Sequence, residues 1–238
     1  PKAKQAAKKK YSDDMLATAA AAAKTKEKPT HNRTLIEFCC GPASKLGQPR
    51  DAAVGCEVIR VTEDSDMTIE RNVQELIQRI ELIDGPILLW SSLPCTGGCP
   101  YNSINKNNPG GEANIACHVA TFMKLFSAFQ KVVQAVLDVG GIVADEWPKS
   151  CTLRPEKETF FKEIGTQTVL FHGCAAEVID EKKQMKILKP FRVETNCPRI
   201  VGALNSFQCT GDHEHTPCPG RATKGTEEYT VTTDSETH

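Results

Sequence analysis

Residues 68–90, TIERNVQELIQRIELIDGPILLW, place two different hydrophobic patterns next to each other. In the first part apolar residues recur at spacings of three and four, which predicts an amphipathic helix with one apolar face; they are Ile69, Val73, Leu76, Ile77 and Ile80. The second part, PILLW at 86–90, is a short continuous apolar run of the kind typical of a buried strand. A strand entered through a helix indicates a sheet with parallel strands, because parallel neighbours need such a crossover.

The same alternation continues on both sides of this stretch. Four further apolar runs end at turn-forming or acidic residues and are predicted as buried strands: TLIEF (34–38), CEVIRV (56–61), GIVADE (141–146) and TVLF (168–171). Apolar residues from Ile115 to Val136 have helical spacing and predict a longer helix that stops at Gly140-Gly141. The sequence therefore predicts an α/β fold with a doubly wound, mostly parallel, Rossmann-like sheet.

The chain after this sheet has a different character. Residues 174–180 and 186–195 flank a charged turn and predict an antiparallel hairpin at the edge of the sheet, followed by a short helix at 198–207. These patterns divide the chain into four parts: a basic Ala/Lys-rich arm (1–33), an α/β domain (34–195), a short helix with a Cys/His loop (196–222) and a flexible tail (223–238).

The composition indicates which partners the protein can bind and in which cell compartment it is expected. The formal net charge is −1, so any nucleic-acid contact needs a local basic patch, and the arm at 1–33 carries nine Lys or Arg against three acids. That arm is either a solvated linker or a phosphate-binding segment. An odd count of 11 cysteines, several inside apolar runs, favours reduced thiols in the nucleus or cytoplasm. No apolar run reaches the roughly 18–20 residues of a membrane span.

Small, acidic or thiol-bearing residues follow each of the first four predicted strands. Ligands of open α/β sheets bind at the carboxyl ends of the strands, so these residues are expected to share one crevice. They are EFCCGPAS (37–44), the acids Glu63, Asp64 and Asp66, LPCTGGCP (93–100) and DEWPKSC (145–151).

A turn at Gly41 followed about 20 residues later by Glu63 and Asp64 is an arrangement that binds adenosine cofactors. The backbone approaches the ligand at the glycine, and a carboxylate holds the ribose hydroxyls. The other interpretation is an ordinary tight turn with a solvated acidic loop. The turn lacks the pattern G-x-G-x-x-G, which argues against an NAD or FAD site.

These four segments together resemble the C5-cytosine DNA methyltransferases, a branch of the class I S-adenosylmethionine-dependent methyltransferases. EFCCGPAS resembles the first motif of that family, which implies that Glu37, Cys40 and Gly41 lie at the cofactor. VIRVTEDSD (58–66) is similar to the second motif, with Glu63 or Asp64 in the ribose-binding role. The resemblance also implies cofactor contacts from Asn72, at the adenine, and from Pro94.

The catalytic motifs of the same family are matched by SSLPCTGG (91–98) and ADEWP (144–148). The match implies that Cys95 attacks C6 of a flipped cytosine while Glu146 engages N3, in DNA more than RNA. Trp147 is either a stacking platform for that base or core packing. The segment FHGCAAEVID (171–180) lacks the family's Gln-x-Arg-x-Arg pattern.

Other interpretations of the thiol and the acid stay open. Cys95 is a nucleophile, a buried structural thiol, or a metal ligand together with Cys99. Glu146 is a catalytic acid or a salt-bridged or capping carboxylate. A cysteine hydrolase would pair Cys95 with His118 or His172.

A second interpretation concerns the function of the whole chain. It is a catalytically inactive methyltransferase-like module that binds nucleic acid or protein within a longer polyprotein. PCTGG and EWP are similar to segments of retroelement-encoded polyproteins, and the chain begins at Pro1. Under this interpretation the partners include other domains of the polyprotein.

The segment CTGDHEHTPC (209–218) brings two thiols and two imidazoles within ten residues. Such a set can wrap a tetrahedral Zn²⁺, and four protein ligands would make the metal structural. The predicted ligands are Cys209, His213, His215 and Cys218. The alternative is a polar surface loop.

Overall fold

The computed structural model describes residues 32–48, 54–180 and 182–216, and the backbone of 223–224 and 227–228. The predicted basic arm lies outside these residues except for its last two. The predicted tail lies outside them except for two short paired strands, Thr223–Lys224 and Glu227–Glu228.

The described residues form nine further strands and five helices. The strands are β1 (Arg33–Phe38), β2 (Cys56–Val61), β3 (Ile87–Ser91), β4 (Ile142–Pro148), β5 (Gln167–His172), β6 (Ile179–Asp180), β7 (Met185–Ile187), β8 (Pro190–Thr195) and β9 (His215–Thr216). The helices are α1 (Glu70–Glu81), α2 (Asn102–Asn105), α3 (Gly111–Asp138), α4 (Arg154–Glu163) and α5 (Pro198–Asn205). The five predicted strands, the two long helices and the short helix near 198 are confirmed.

Six strands form the main sheet in the order β2-β1-β3-β4-β8-β5. Strands β1 to β4 are parallel, and β8 runs antiparallel to both β4 and β5. The predicted α/β class and mostly parallel sheet are confirmed. The carboxyl ends of β1 to β4 therefore lie at one edge, where the residues singled out in the sequence meet.

The reversed strand differs from the predicted edge hairpin. β8 lies inside the sheet between β4 and β5, while β6 and β7 leave it and join β9 in a separate three-stranded sheet. Internal placement suits β8 because its backbone bonds on both sides, and the side chains of Phe191 and Val193 are buried.

The main core lies on one face of the sheet. Helices α1 and α3 and the aromatic residues of α4 pack there against Ile36, Phe38 and Leu89 of the strands. The opposite face carries α5, whose Ile200, Val201 and Leu204 pack on residues of β4, β5 and β8. Alternate residues of β3 serve the two faces, as expected for a sheet covered on both sides.

Helix α4 was not predicted, because its buried face is nearly invisible as a hydrophobic pattern. Only Lys157 and Phe161 of this helix are buried, and one of the two is a charged residue. Among the described residues, no helix combines the length and apolar character that crossing a bilayer requires.

Candidate functional site

The loop after β1 is organised by a buried carboxylate. Glu37 is only 4% exposed; it accepts a hydrogen bond from the Ser44 hydroxyl and lies 3.4 Å from the Arg60 guanidinium. Burial raises the pKa of Glu37, and the Ser44 hydrogen bond and the Arg60 charge oppose that shift. Glu37 thus anchors the turn that carries Cys40 and Gly41.

The acidic loop after β2 is held from α1. The Asn72 amide donates to the backbone oxygens of Ser65 (2.8 Å) and Asp66 (3.2 Å). The carboxylate of Asp66 accepts from the backbone N–H of Thr68 at 3.1 Å and from its hydroxyl at 2.6 Å. These bonds fix the single 3₁₀ turn, Glu63–Ser65, that presents the acids.

A cleft of about 820 Å³ opens between these two loops at the carboxyl edge of the sheet. Its volume falls within the roughly 300–1,000 Å³ of small-molecule sites. Five of the seven predicted cofactor residues line it, namely Cys40, Gly41, Glu63, Asp64 and Pro94. Glu37 and Asn72 do not line it; they support the two loops that do. Burial and the Glu37 carboxylate raise the pKa of Cys40 to about 11, so this thiol stays protonated at neutral pH.

The loop after β3 is packed tightly at its two glycines. A Cβ on Gly98 would lie 2.4 Å from Cys151 Sγ, and one on Gly97 would lie 2.9 Å from the backbone nitrogen of Val119. The Asn102 amide donates to the backbone oxygens of residues 96 (2.9 Å) and 97 (3.0 Å). The Gly-Gly pair therefore lets the loop rest on α3 and on the segment after β4, which holds Cys95 in place.

Cys95 and Glu146, the two predicted catalytic residues, line one small cavity. Its volume is about 30 Å³, and its other lining residues are Ser92, Leu93, Trp147, Pro148 and Lys189. Ser92 also lines the large cleft, so the cavity and the cleft share a wall. The Ser92 hydroxyl donates to Glu146 Oε2 at 3.4 Å. Strands β3 and β4 thus bring the thiol and the carboxylate beside the cleft.

The surroundings of Glu146 shift its protonation into the neutral range. Burial raises its pKa to about 7, and the Asp145 carboxylate adds to the increase. Lys189, the Ser92 hydrogen bond and Lys157 act in the opposite direction without cancelling it. A carboxyl with this pKa can both donate and accept a proton near pH 7.

Trp147 is only 3% exposed and belongs to the core. Its ring stacks on that of Phe122 at 6.4 Å, and Lys157 Nζ lies 3.7 Å from its centroid. These contacts favour the core-packing interpretation of Trp147 over the stacking platform.

A buried ion pair next to the cavity was missed by the sequence analysis. Lys157 of α4 reaches Asp145 of β4, and both side chains are almost completely buried. Burial raises the pKa of Asp145, and the Lys157 charge opposes the shift. The i, i+4 spacing of Lys157 and Phe161 places both on the buried face of one helix. A search for apolar residues at this spacing overlooks that face, because one of the two is a lysine.

The histidines of the hydrolase alternative lie elsewhere. His118 is on α3 and His172 ends β5, where its Nδ1 accepts the backbone N–H of Cys209 at 3.0 Å. Among the described residues that line the Cys95 cavity there is no histidine. In the described part of the chain, the Cys95 cavity is thus lined by the carboxyl of Glu146 and by no imidazole.

The predicted Cys/His loop forms a cluster that could hold a metal ion, with one change of residue. The ligand atoms of Cys174, Cys209, His213 and His215 all lie within 4.8 Å of one another. Cys218, the predicted fourth ligand, lies outside the described residues. Cys174 was missed because it is 35 residues from Cys209 in the chain and belongs to no local spacing. Among the described residues, Cys95 and Cys99 belong to no group of this kind.

Comparison with protein-family models, with curated proteins and with solved structures finds no match for this chain. The cleft, the cavity and the Cys/His cluster are therefore the features from which a function can be inferred.

Proposed function

We propose that this protein is an S-adenosylmethionine-dependent methyltransferase that acts on nucleic acid, with Cys95 as a cytosine-C5-type nucleophile. One observation carries the proposal: the exits of β1 to β4 converge, so that a cleft of about 820 Å³ and the Cys95–Glu146 cavity share Ser92 as a wall. A sheet that is parallel except for one internal reversed strand is compatible with the Rossmann-like class I methyltransferases.

The residues of the cleft suit an adenosine cofactor. The Gly41 turn allows close backbone approach, and Glu63 and Asp64 offer carboxylates to ribose hydroxyls. Pro94 lines the same cleft next to Cys95, so a group bound there would reach towards the cavity. S-adenosylmethionine would supply the methyl group.

In the proposed reaction Cys95, as a thiolate, forms a bond to C6 of the target cytosine. The C5–C6 π electrons move towards C5 as protonated Glu146 gives its proton to N3. C5 would take the methyl group from the sulfonium of S-adenosylmethionine, the methyl–sulfur bond breaking with its pair on the sulfur of S-adenosylhomocysteine, and the C5 proton then leaves to solvent. The electrons of the C5–H bond restore the C5–C6 double bond, the sulfur–C6 bond breaks with its pair on sulfur, and Glu146 recovers the N3 proton. A Glu146 pKa of about 7 suits both transfers.

The cavity has to widen for this chemistry. About 30 Å³ holds roughly one or two water molecules, whereas a pyrimidine ring is larger. The target base must also leave its stack to reach Cys95. Lys189 has the longest flexible side chain of the cavity wall, and we expect its displacement to help admit a ring.

The small cavity also supports a second candidate, a methyltransferase-like module that binds nucleic acid or protein without catalysis. In that case the cleft or the chain surface binds a partner, and Cys95 serves packing. None of the four Cys/His cluster residues lines the cleft or the cavity, so both candidates are independent of a metal bound at that cluster.

Two measurements test the proposal. We expect calorimetry to show binding of S-adenosylmethionine and of S-adenosylhomocysteine, and a Glu63→Ala, Asp64→Ala variant to bind both more weakly. We expect transfer of labelled methyl groups to cytosine-containing DNA or RNA, with DNA preferred, and a loss of at least 100-fold in Cys95→Ser.

Cys99→Ser is the matched control, since Cys99 is in the same loop but does not line the cavity. Undiminished transfer by Cys95→Ser would refute the covalent step. Cofactor binding without transfer to any nucleic acid would favour the non-catalytic module, and no binding would refute the cofactor assignment.

A further inference from the structure

The Cys/His cluster draws its ligands from two separate parts of the fold. Cys174 lies in the 3₁₀ turn Gly173–Ala176, directly after β5. Cys209, His213 and His215 come from the segment after α5. An ion bound by all four would therefore join the segment after α5, residues 206–216, to the end of β5 in the main sheet.

The distances are those of a nearly assembled tetrahedral site. Cys209 Sγ lies 3.4 Å from His215 Nε2 and 3.9 Å from His213 Nε2, and all four ligand atoms lie within 4.8 Å of one another. Ligand atoms around tetrahedral Zn²⁺ are about 3.3–3.8 Å apart, given Zn–S and Zn–N bonds of about 2.3 and 2.0 Å. Small side-chain movements would close the site.

One imidazole already has the supporting contact of a metal ligand. Asp212 Oδ1 lies 2.8 Å from His213 Nδ1, which leaves Nε2 directed at the cluster. A carboxylate on the other ring nitrogen fixes the tautomer and orientation of metal-bound histidines.

The backbone on both sides holds the segment in register. The N–H of His172 donates to the backbone oxygen of Phe207 at 2.9 Å, and the N–H of Cys209 donates to His172 Nδ1 at 3.0 Å. Further on, β9 pairs with β7, placing His215 opposite Lys186. These hydrogen bonds hold the segment beside β5 and β7 without using the ligand atoms of the cluster.

The segment has almost no hydrophobic core of its own. Of residues 206–216 only Thr216 is buried, while Cys174 is completely buried. Segments with so little apolar burial commonly depend on a metal or a disulfide, and Cys174 and Cys209 are not joined by a disulfide.

We propose that Cys174, Cys209, His213 and His215 bind one structural Zn²⁺, with Cys174 and not Cys218 as the fourth ligand. Two thiolates and two imidazoles favour Zn²⁺ over the oxygen-binding cations Mg²⁺ and Ca²⁺. Four protein ligands leave no open position, so the ion stabilises the fold and does not activate water.

Metal analysis of the full chain tests the site. We expect mass spectrometry of the protein purified in the presence of Zn²⁺ to show one zinc per chain. Cys174→Ser and Cys209→Ser should each lower the zinc content at least tenfold at the same free Zn²⁺, whereas Cys218→Ser should not. Cys117→Ser, which changes an exposed cysteine on α3, is the control for the loss of a thiol.

Cobalt substitution of the unchanged chain keeps the test independent of how the variants fold. We expect Co²⁺ to give the absorption of a tetrahedral site with thiolate-to-metal charge transfer from two sulfurs. Absence of zinc and cobalt binding, or loss of zinc in Cys218→Ser with full retention in Cys174→Ser, would overturn the proposal. These results do not depend on cofactor binding or methyl transfer.

Discussion

Glu146 is the side chain whose environment bears most directly on the proposed methyl transfer. It lies near the end of β4, lines the Cys95 cavity and has a pKa raised to about 7 by burial. The charges around it are mixed, with Asp145 raising the pKa and Lys189 and Lys157 lowering it. A buried carboxyl with a raised pKa lowers the stability of the folded protein once it ionises above neutral pH. Groups with shifted pKa values of this kind are common at functional sites.

Because the raised pKa of Glu146 lowers folding stability at high pH, the effect of replacing this residue should depend on pH. A raised pKa means that the folded state binds more protons than the unfolded state between about pH 4.5 and 7, so stability falls as pH rises through this window. We expect the gain in unfolding free energy from Glu146→Gln to be larger at pH 8 than at pH 5. The difference should be on the order of 2 kcal/mol, after allowance for the partial exposure of the group.

Urea denaturation of both proteins at the two pH values measures this difference. Glu81→Gln, at an exposed position that ends α1, controls for the change of charge. An effect of Glu146→Gln that is equal at pH 5 and pH 8 would contradict the assigned environment of Glu146.

The contact between α4 and β4 depends on a buried ion pair and aromatic rings. Lys157 meets Asp145 and covers the face of Trp147, and Phe161 one turn later packs into the main core. A buried pair of this kind is weak evidence of net stabilisation, but removing one partner leaves the other charge buried alone. Helix α4 is therefore held in one position by charge as well as by packing.

Lys157→Met should lower the unfolding free energy by about 3–5 kcal/mol, because Asp145 would stay buried without its partner. Lys157→Met combined with Asp145→Asn should recover at least half of that loss. Arg154→Ala, which breaks the exposed pair with Glu158 on the same helix, should cost less than about 1 kcal/mol. Chemical denaturation measures all three, and a loss as small for Lys157→Met as for Arg154→Ala would show that the pair is not buried.

At the level of the complete molecule, the described chain is a six-stranded sheet with a weakly buried carboxyl-terminal segment attached to one side. The main core of the sheet involves β1 to β4 with α1, α3 and α4, whereas residues 206–216 depend on edge hydrogen bonds and the Cys/His cluster. Local stability should differ accordingly between the two regions.

Removal of the proposed zinc should reveal that difference. Treatment of the zinc-loaded protein with a strong chelator should speed amide hydrogen exchange at least tenfold in 207–216 and in β7. Exchange in β1 to β4 should stay unchanged, because their core does not include the ligands. Exchange that is unaffected in 207–216, or that rises equally in all strands, would contradict a local stabilising role for the metal.

Hydrophobic periodicity and turn residues identified most of the architecture from the chain alone. The patterns of β1 to β5, α1, α3 and α5 are local, because the spacing of apolar residues follows directly from which face of an element is buried. The candidate crevice was also predictable, since the carboxyl ends of parallel strands share one edge. Gly41, Glu63, Asp64, Cys95 and Glu146, which line the cleft or the cavity, were therefore predicted to lie at that edge.

Three features can be recognised only in the tertiary structure, because each depends on contacts between residues that are distant in the sequence. β8 lies between β4 and β5 because strand pairing satisfies backbone bonds on both of its sides, which no local pattern specifies. Cys174 joins the Cys/His cluster across 35 residues, and Lys157 is buried only because Asp145 and Trp147 meet it. Spacing along the chain reports which face is apolar, whereas long-range pairing depends on three-dimensional proximity that spacing does not encode.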